Sequence, residues 1–226
     1  MIPRILHQMY RDADSIPVEF RPLMSSWRRL LPHWRFNLWT DAAIERMIAL
    51  NYPTVLPLYE TLPHDIQRFD LARYLILHHC GGVYADLDYE LLGDLEPWLA
   101  RDYLLAELHP GQIGNALMGS ATGWAIWLDF IDSIPEAIEQ SNAHGHNRFH
   151  KVLYTTGPGH LDRYMKQAGM RWEPWQMFAP IPDRCLHLLA PGPTPNGAVA
   201  KHWWNAGWVQ GDGISTVRDH MRRTHE

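Results

Sequence analysis

The stretch from Asp65 to Glu90, DIQRFDLARYLILHHCGGVYADLDYE, constrains the fold more than any other part of the chain. Ile66, Phe69, Ala72, Leu75, Ile76 and His79 recur at spacings of three and four, the period of a helix with one buried face. Gly81-Gly82 ends that helix, with Gly81 where a C-terminal cap must turn left-handed. Val83-Tyr84-Ala85 then reads as a short strand with Asp86-Leu87-Asp88 at its tip. Carboxylates two apart in extended chain share a face, and paired oxygen donors suit a hard divalent cation. Asp70 and Arg73, three apart, project from one side of the helix. On the residues alone, the Asp70–Arg73 pair also reads as a surface ion pair, and Asp86-Leu87-Asp88 as a plain turn.

The rest of the chain frames this stretch. Its 226 residues, 46% hydrophobic and 20% charged, suit one domain spanning 1–226. A net charge of −5 gives no electrostatic case for nucleic-acid binding. Two cysteines, Cys80 and Cys185, make no disulfide framework and point to a reducing compartment. MIPRILHQMY lacks the apolar core of a signal peptide, and no run approaches the roughly 20 apolar residues of a membrane span. The expectation is a cytoplasmic protein, in peripheral contact with the inner face of a membrane at most. Eleven tryptophans and nine tyrosines suit sugar or base stacking and a packed core equally.

Ile2–Gln8 reads as a first buried strand, Glu19–Leu31 as a helix and Trp34–Trp39 as a second strand. Asp41 is placed to cap a helix running to Leu50, and Pro53–Leu62 forms another. This alternation predicts an α/β fold, a mixed, mostly parallel sheet flanked by helices. A helical turn within Leu91–Ala100, strands at Tyr103–Leu108 and Ile113–Ser120, and a long helix over Thr122–Gln140 follow. Ser141–His150 carries three histidines without metal-site spacing and reads as a loop. Thr155-Thr156-Gly157-Pro158-Gly159 opens a helix whose free N–H groups could serve an anion or a hydroxyl, or could be a plain turn. Short strands at Trp175–Pro180 and Cys185–Leu189, a loop at Pro191–Gly197 and a polar helix at Asp212–Glu226 complete the expectation.

QRFDLARYLILHHCGGVYADLDYE resembles the signature of the DXD-containing sugar transferases of glycosyltransferase family 32. That pattern runs roughly S-D-x-x-R-Y-x-x-L, then G-G-I/V-Y-x-D-x-D. Asp70, Arg73, Tyr74, Leu77, Gly81, Gly82, Tyr84, Asp86 and Asp88 match it, while Phe69 replaces a residue that is usually small. IPRILHQ, IGNALMGS, TTGPG and AKHWWNAGW resemble further family segments, the last with Gly207 where Ser is common.

The resemblance implies a GT-A-like fold and retaining, metal-dependent transfer from a nucleotide-sugar, UDP-linked by expectation, to a glycan or lipid-linked sugar acceptor. Bacterial surface-polysaccharide synthesis is the expected setting. The implied roles follow the matched positions. Asp86, Asp88 and His202 hold Mn2+ or Mg2+, and Asp70 and Arg73 hold donor-sugar hydroxyls. His7, Gln8 and Tyr10 receive the nucleotide base, Asn115 contacts the sugar, and Trp208 closes over the donor. His7 also reads as a satisfied core histidine, and Asn115 as a structural turn amide. Two alternatives stand beside the transferase. One is a haloacid-dehalogenase-like phosphatase, which also places D-x-D after an apolar strand; the other is a non-catalytic carbohydrate-binding protein.

Overall fold

The computed structural model describes residues 1–179 and 197–203. Strands β1 (Ile5–Met9), β2 (Arg35–Trp39), β3 (Gly82–Ala85), β4 (Tyr89–Leu91), β5 (Tyr103–His109), β6 (Gln112–Ser120) and β7 (Ala200–His202) form two sheets. The larger has five strands in the order β2-β1-β3-β6-β5, and β4 pairs with β7 in the smaller. β2, β1 and β3 run parallel, whereas β6 is antiparallel to both β3 and β5. The sheet is therefore mixed, with fewer parallel pairs than the sequence suggested.

The helices are α1 (Arg21–Leu30), α2 (Asp41–Asn51), α3 (Leu56–Thr61), α4 (Asp65–Cys80), α5 (Glu96–Leu99), α6 (Ile126–Asp132), α7 (Ile134–Ala143), α8 (Arg148–Thr155), α9 (Pro158–Gln167) and α10 (Trp175–Phe178). They cover both faces of the larger sheet, and the period-two alternation of the strands divides the core. Tyr84, Leu105 and Met118 face one side with Ile44, Leu75, Trp127, Ile134 and Leu161. Val83, Ala85, Leu104, Ala106 and Leu117 face the other with Trp27, Trp98 and Phe178.

Several local expectations give way to specific contacts. α4 is not one-sided: Asp70 to Leu77 are all buried, Ile66 and Phe69 only half so, and His79 is exposed. The expected helix over Thr122–Gln140 breaks at Ser133, where Pro135 opens α7 without an N–H to give. Thr40 caps α2, its side chain accepting from the Ala43 N–H, in place of Asp41. Trp175–Phe178 is helical where a strand was expected, starting directly after Pro174. The Ser141–His150 loop shrinks to 144–147, because α7 runs to Ala143 and α8 starts at Arg148. Expectations for 180–196 and Asp212–Glu226 lie outside the described residues.

The turn from α4 into β3 depends on two glycines. Gly81 has φ +64° and Gly82 φ +92°, and a Cβ on Gly82 would lie 2.6 Å from the Ile5 carbonyl oxygen of the neighbouring strand. Gly82→Ala is expected to destabilise the protein by about 2–4 kcal/mol, read as a lower thermal midpoint.

Candidate active site

The site forms where β3 ends. The Asp86 N–H donates to Ala116 O at 2.8 Å, extending the β3–β6 ladder one residue past the strand. The chain then turns, with the Tyr89 N–H donating to Asp86 O at 3.1 Å, and continues as β4. α1 anchors β4: Trp27 Nε1 donates to Tyr89 O at 2.9 Å, and Ser26 Oγ accepts from the Leu91 N–H at 2.9 Å. Asp86 and Asp88 are thus neighbours across a tight turn, not along extended chain.

Behind Asp86 lies a buried polar network on α4. Arg73 is 4% exposed and Asp70 3%, which removes the surface ion-pair reading. The Arg73 guanidinium reaches Asp70 Oδ1 and Asp86 Oδ1, each at 3.3 Å, and donates to Asn115 O at 2.8 Å. It also lies over the Tyr84 ring, 4.9 Å from the centroid. Asn115 Nδ2 donates to Asp70 Oδ1 at 2.8 Å and to Tyr74 Oη at 3.0 Å. Thr156 Oγ1 donates to Asp70 Oδ2 at 3.0 Å, while Thr156 O accepts from Tyr74 Oη at 2.8 Å. Tyr84 Oη donates to Asp86 Oδ1 at 2.5 Å. Burial opposes charge on Arg73, but Asp86, Tyr84 and Asp70 outweigh it and hold the guanidinium protonated. Burial raises the Asp86 carboxyl; Arg73 pulls it back down, and Asp88 pushes it up again.

On the other side of the turn, β7 pairs antiparallel with β4 and sets His202 opposite Tyr89. Their rings stack with centroids 4.5 Å apart and planes 8° from parallel. This register puts His202 Nε2 3.2 Å from Asp88 Oδ2, and the Trp203 N–H donates to Asp88 O at 2.9 Å. Among the described residues no group of three or more His, Cys, Asp or Glu side chains is placed to hold a metal ion. Of the three expected donors, Asp86 faces Tyr84 and Arg73, Asp88 and His202 lie against each other, and both act on the Asp86 carboxyl. What remains is the carboxylate of Asp88 beside the imidazole of His202, a pair whose chemistry fits a divalent cation.

The base-side candidates divide. His7 is fully buried, with Nδ1 accepting from Trp39 Nε1 and Nε2 facing Gly81 O, each at 2.9 Å. Burial lowers its pKa to about 4, so it is a neutral core histidine with both ring nitrogens engaged. It has no atom left for a nucleotide base, which corrects the role the resemblance implied. Gln8 is buried, and among the described residues its Nε2 has no hydrogen-bond partner. Tyr10 packs beside Leu87, Phe20 and Trp203, next to the carboxylate turn. Trp208 lies outside the described residues. Sequence reading missed Thr156 as the second anchor of Asp70; the TTGPG segment was visible, but not its partner on α4.

Residues 17–105 match the family described as "Glycosyltransferase sugar-binding region containing DXD motif". The chain belongs to the DXD-containing glycosyltransferases. It is 31% identical over 182 residues to inositol phosphoceramide mannosyltransferase 3 of Schizosaccharomyces pombe, covering 80% of this chain and 47% of that protein. It is 32% identical over 172 residues to a mannosyl phosphorylinositol ceramide synthase of Saccharomyces cerevisiae, covering 76% and 44%. The chain thus spans about half the length of the curated relatives it matches. The solved PaToxG glycosyltransferase superposes with a TM-score of 0.53 at 16% identity, over 74% of this chain and 70% of that one, a likeness of fold. Membership in this glycosyltransferase family removes the phosphatase alternative. The matched segment holds Asp70, Arg73, Asp86 and Asp88, whereas Asn115, Thr156 and His202 reach the site from beyond it.

Burial pushes the Asp70 carboxyl up to about 6, while Arg73, Thr156 and Asn115 pull it down. A folded-state value above the unfolded one of about 4 means that the folded protein holds this proton more tightly. Asp70 therefore favours folding at low pH, and that contribution is lost as pH rises from about 4 through about 6. Wild type is expected to lose about 3 kcal/mol more than Asp70→Asn across this window, read from urea midpoints at its two ends.

Proposed function

We propose that this protein is a metal-dependent, retaining glycosyltransferase that moves a sugar from a nucleotide-sugar to a lipid-linked acceptor. The observation that carries the reading is the buried Asp70–Arg73–Asp86 row, set beside the Asp88–His202 pair across one turn. A row of satisfied but buried charges costs stability, so it suits a binding surface better than a purely structural role.

Asp70 is the group for donor-sugar hydroxyls. Oδ1 accepts from Asn115 and faces Arg73, and Oδ2 accepts from Thr156, which fixes the carboxylate and leaves a lone pair on Oδ2. Arg73 orients Asp70 and Asp86 together, and such fixed orientation is a main source of rate in group transfer. Asp88 and His202 would hold a divalent cation, which supplies Lewis-acid neutralisation of the leaving diphosphate when bound. Gln8 and Tyr10 remain the candidates for the base side, and Trp208 for closure.

The names of the relatives, mannosyltransferases with an inositol phosphoceramide acceptor, support mannose as the sugar and a phosphate-bearing lipid as the acceptor. Surface-polysaccharide intermediates, UDP as the carrier and a cytoplasmic setting are the sequence-based expectations for the same site. A panel of UDP- and GDP-linked hexoses, scored by donor hydrolysis with manganese, identifies the donor. Asp88→Asn is expected to lower metal-dependent donor turnover at least about 100-fold with an unchanged far-UV spectrum. His202→Ala is expected to weaken manganese binding about 10- to 100-fold in a direct titration. Wild-type turnover in the first variant would remove the metal role from Asp88, and full affinity in the second would remove it from His202.

A further inference from the structure

From Gln140 to Leu161 the chain has no Asp or Glu, although the whole protein carries 25 of them and a net charge of −5. The same stretch contains Arg148, Lys151, His144, His146 and His150. The structure gathers these groups at the α7–α8 corner. α8 turns Val152 and Thr155 into the core and leaves Arg148 exposed, with Phe149 42% and Tyr154 36% exposed. The rings of His144 and His146 lie 5.6 Å apart, those of His146 and His150 5.7 Å, and those of His150 and Tyr154 5.9 Å. Burial, Arg148 and Lys151 lower the pKa of His64 and Asp65 raises it, which places both cations beside His64 with one carboxylate at the edge of the patch. Among the described residues neither Arg148 nor Lys151 makes an ion pair. The histidines do not form a metal group either.

We infer that the α7–α8 corner, through Arg148, Lys151, Phe149 and Tyr154, is a docking surface for an anionic lipid bilayer. Basic side chains gain about 1 kcal/mol each beside an anionic leaflet, and exposed aromatic rings favour the headgroup layer. A soluble polyanion would use the cations but would give no reason for the exposed Phe149. The net charge of −5 gives the molecule as a whole no attraction to an anionic surface, so binding there depends on a local basic face such as this corner. α8 is about 12 Å long, and its inner end delivers Thr155 and Thr156 to α4, where Gln67 Nε2 donates to Thr155 Oγ1 at 2.8 Å and Thr156 holds Asp70. Docking here brings the Asp70 site to within a helix length of the headgroups. The inference rests on the lipid-acceptor reading for its purpose, but binding is measured without turnover.

The test is co-sedimentation of the full chain with vesicles of phosphatidylcholine, and of phosphatidylcholine mixed with phosphatidylinositol. Wild type is expected to partition at least about tenfold more onto the anionic vesicles, and to be released by salt. The double variant Arg148→Glu, Lys151→Glu and the separate pair Phe149→Ser, Tyr154→Ser are each expected to lower that partitioning at least about tenfold, with donor hydrolysis at the wild-type level. Equal partitioning onto both vesicle types, or wild-type partitioning by the charge-reversed variant, would overturn the docking surface. So would displacement of the protein from anionic vesicles by an equal charge of duplex DNA. Retained vesicle binding with transfer to a soluble glycan, and none to a lipid-linked acceptor, leaves the docking surface standing and removes the lipid-acceptor reading.

Discussion

A guanidinium buried among two carboxylates holds this site together. Arg73 joins α4, through Asp70, to the tip of β3, through Asp86, and to β6, through Asn115 O. Breaking a buried pair of this kind strands an uncompensated charge and costs about 3–5 kcal/mol, whereas an apolar replacement of the whole group is often neutral. The arrangement therefore gains little as a stabiliser. Its merit is geometric, because two consecutive elements and a third from farther along the chain are indexed to one rigid side chain.

That indexing divides the labour between the two acidic residues of the D-x-D. Asp86 continues the β3 ladder, and its carboxylate faces inward to Tyr84 and Arg73. Asp88 lies past the turn and faces His202. A pair that looks symmetrical in sequence thus becomes one carboxylate tied to the Asp70–Arg73 network and one beside an imidazole. Extended-chain geometry suggested a shared face; the turn at Leu87-Asp88 produces this separation instead.

The sequence made the frame legible because the frame is local. The end of α4, the double glycine, the short β3 and the carboxylates at its tip are all written within Asp65–Glu90, and each appears where periodicity and cap chemistry place it. Partners from far along the chain were harder to see. Thr156 meets Asp70 across 86 positions and Asn115 meets it across 45, contacts that no spacing rule encodes. The family pattern supplied Asn115 and His202 by position. It also suggested a ligand role for His7, whose two ring nitrogens are used up by Trp39 and Gly81. The burial of α4 on every side was equally hidden, because its polar stripe packs against other polar groups and not against solvent.

The two halves of the site are secured by different parts of the molecule. The Asp70–Arg73–Asp86 half rests on α4, β6 and the start of α9, which share the large core around Tyr74, Trp127 and Phe130. The Asp88–His202 half depends on 199–203, held by Val199 N–H to Met177 O at 2.7 Å, by Leu92 N–H to Val199 O at 2.9 Å and by the three-residue pairing of β7 with β4. Elements with few buried contacts open at lower free energy than the core they rest on. Val199 and Ala200 are buried in the second core with Phe178, however, so the packing that covers β4 also holds His202 beside Asp88.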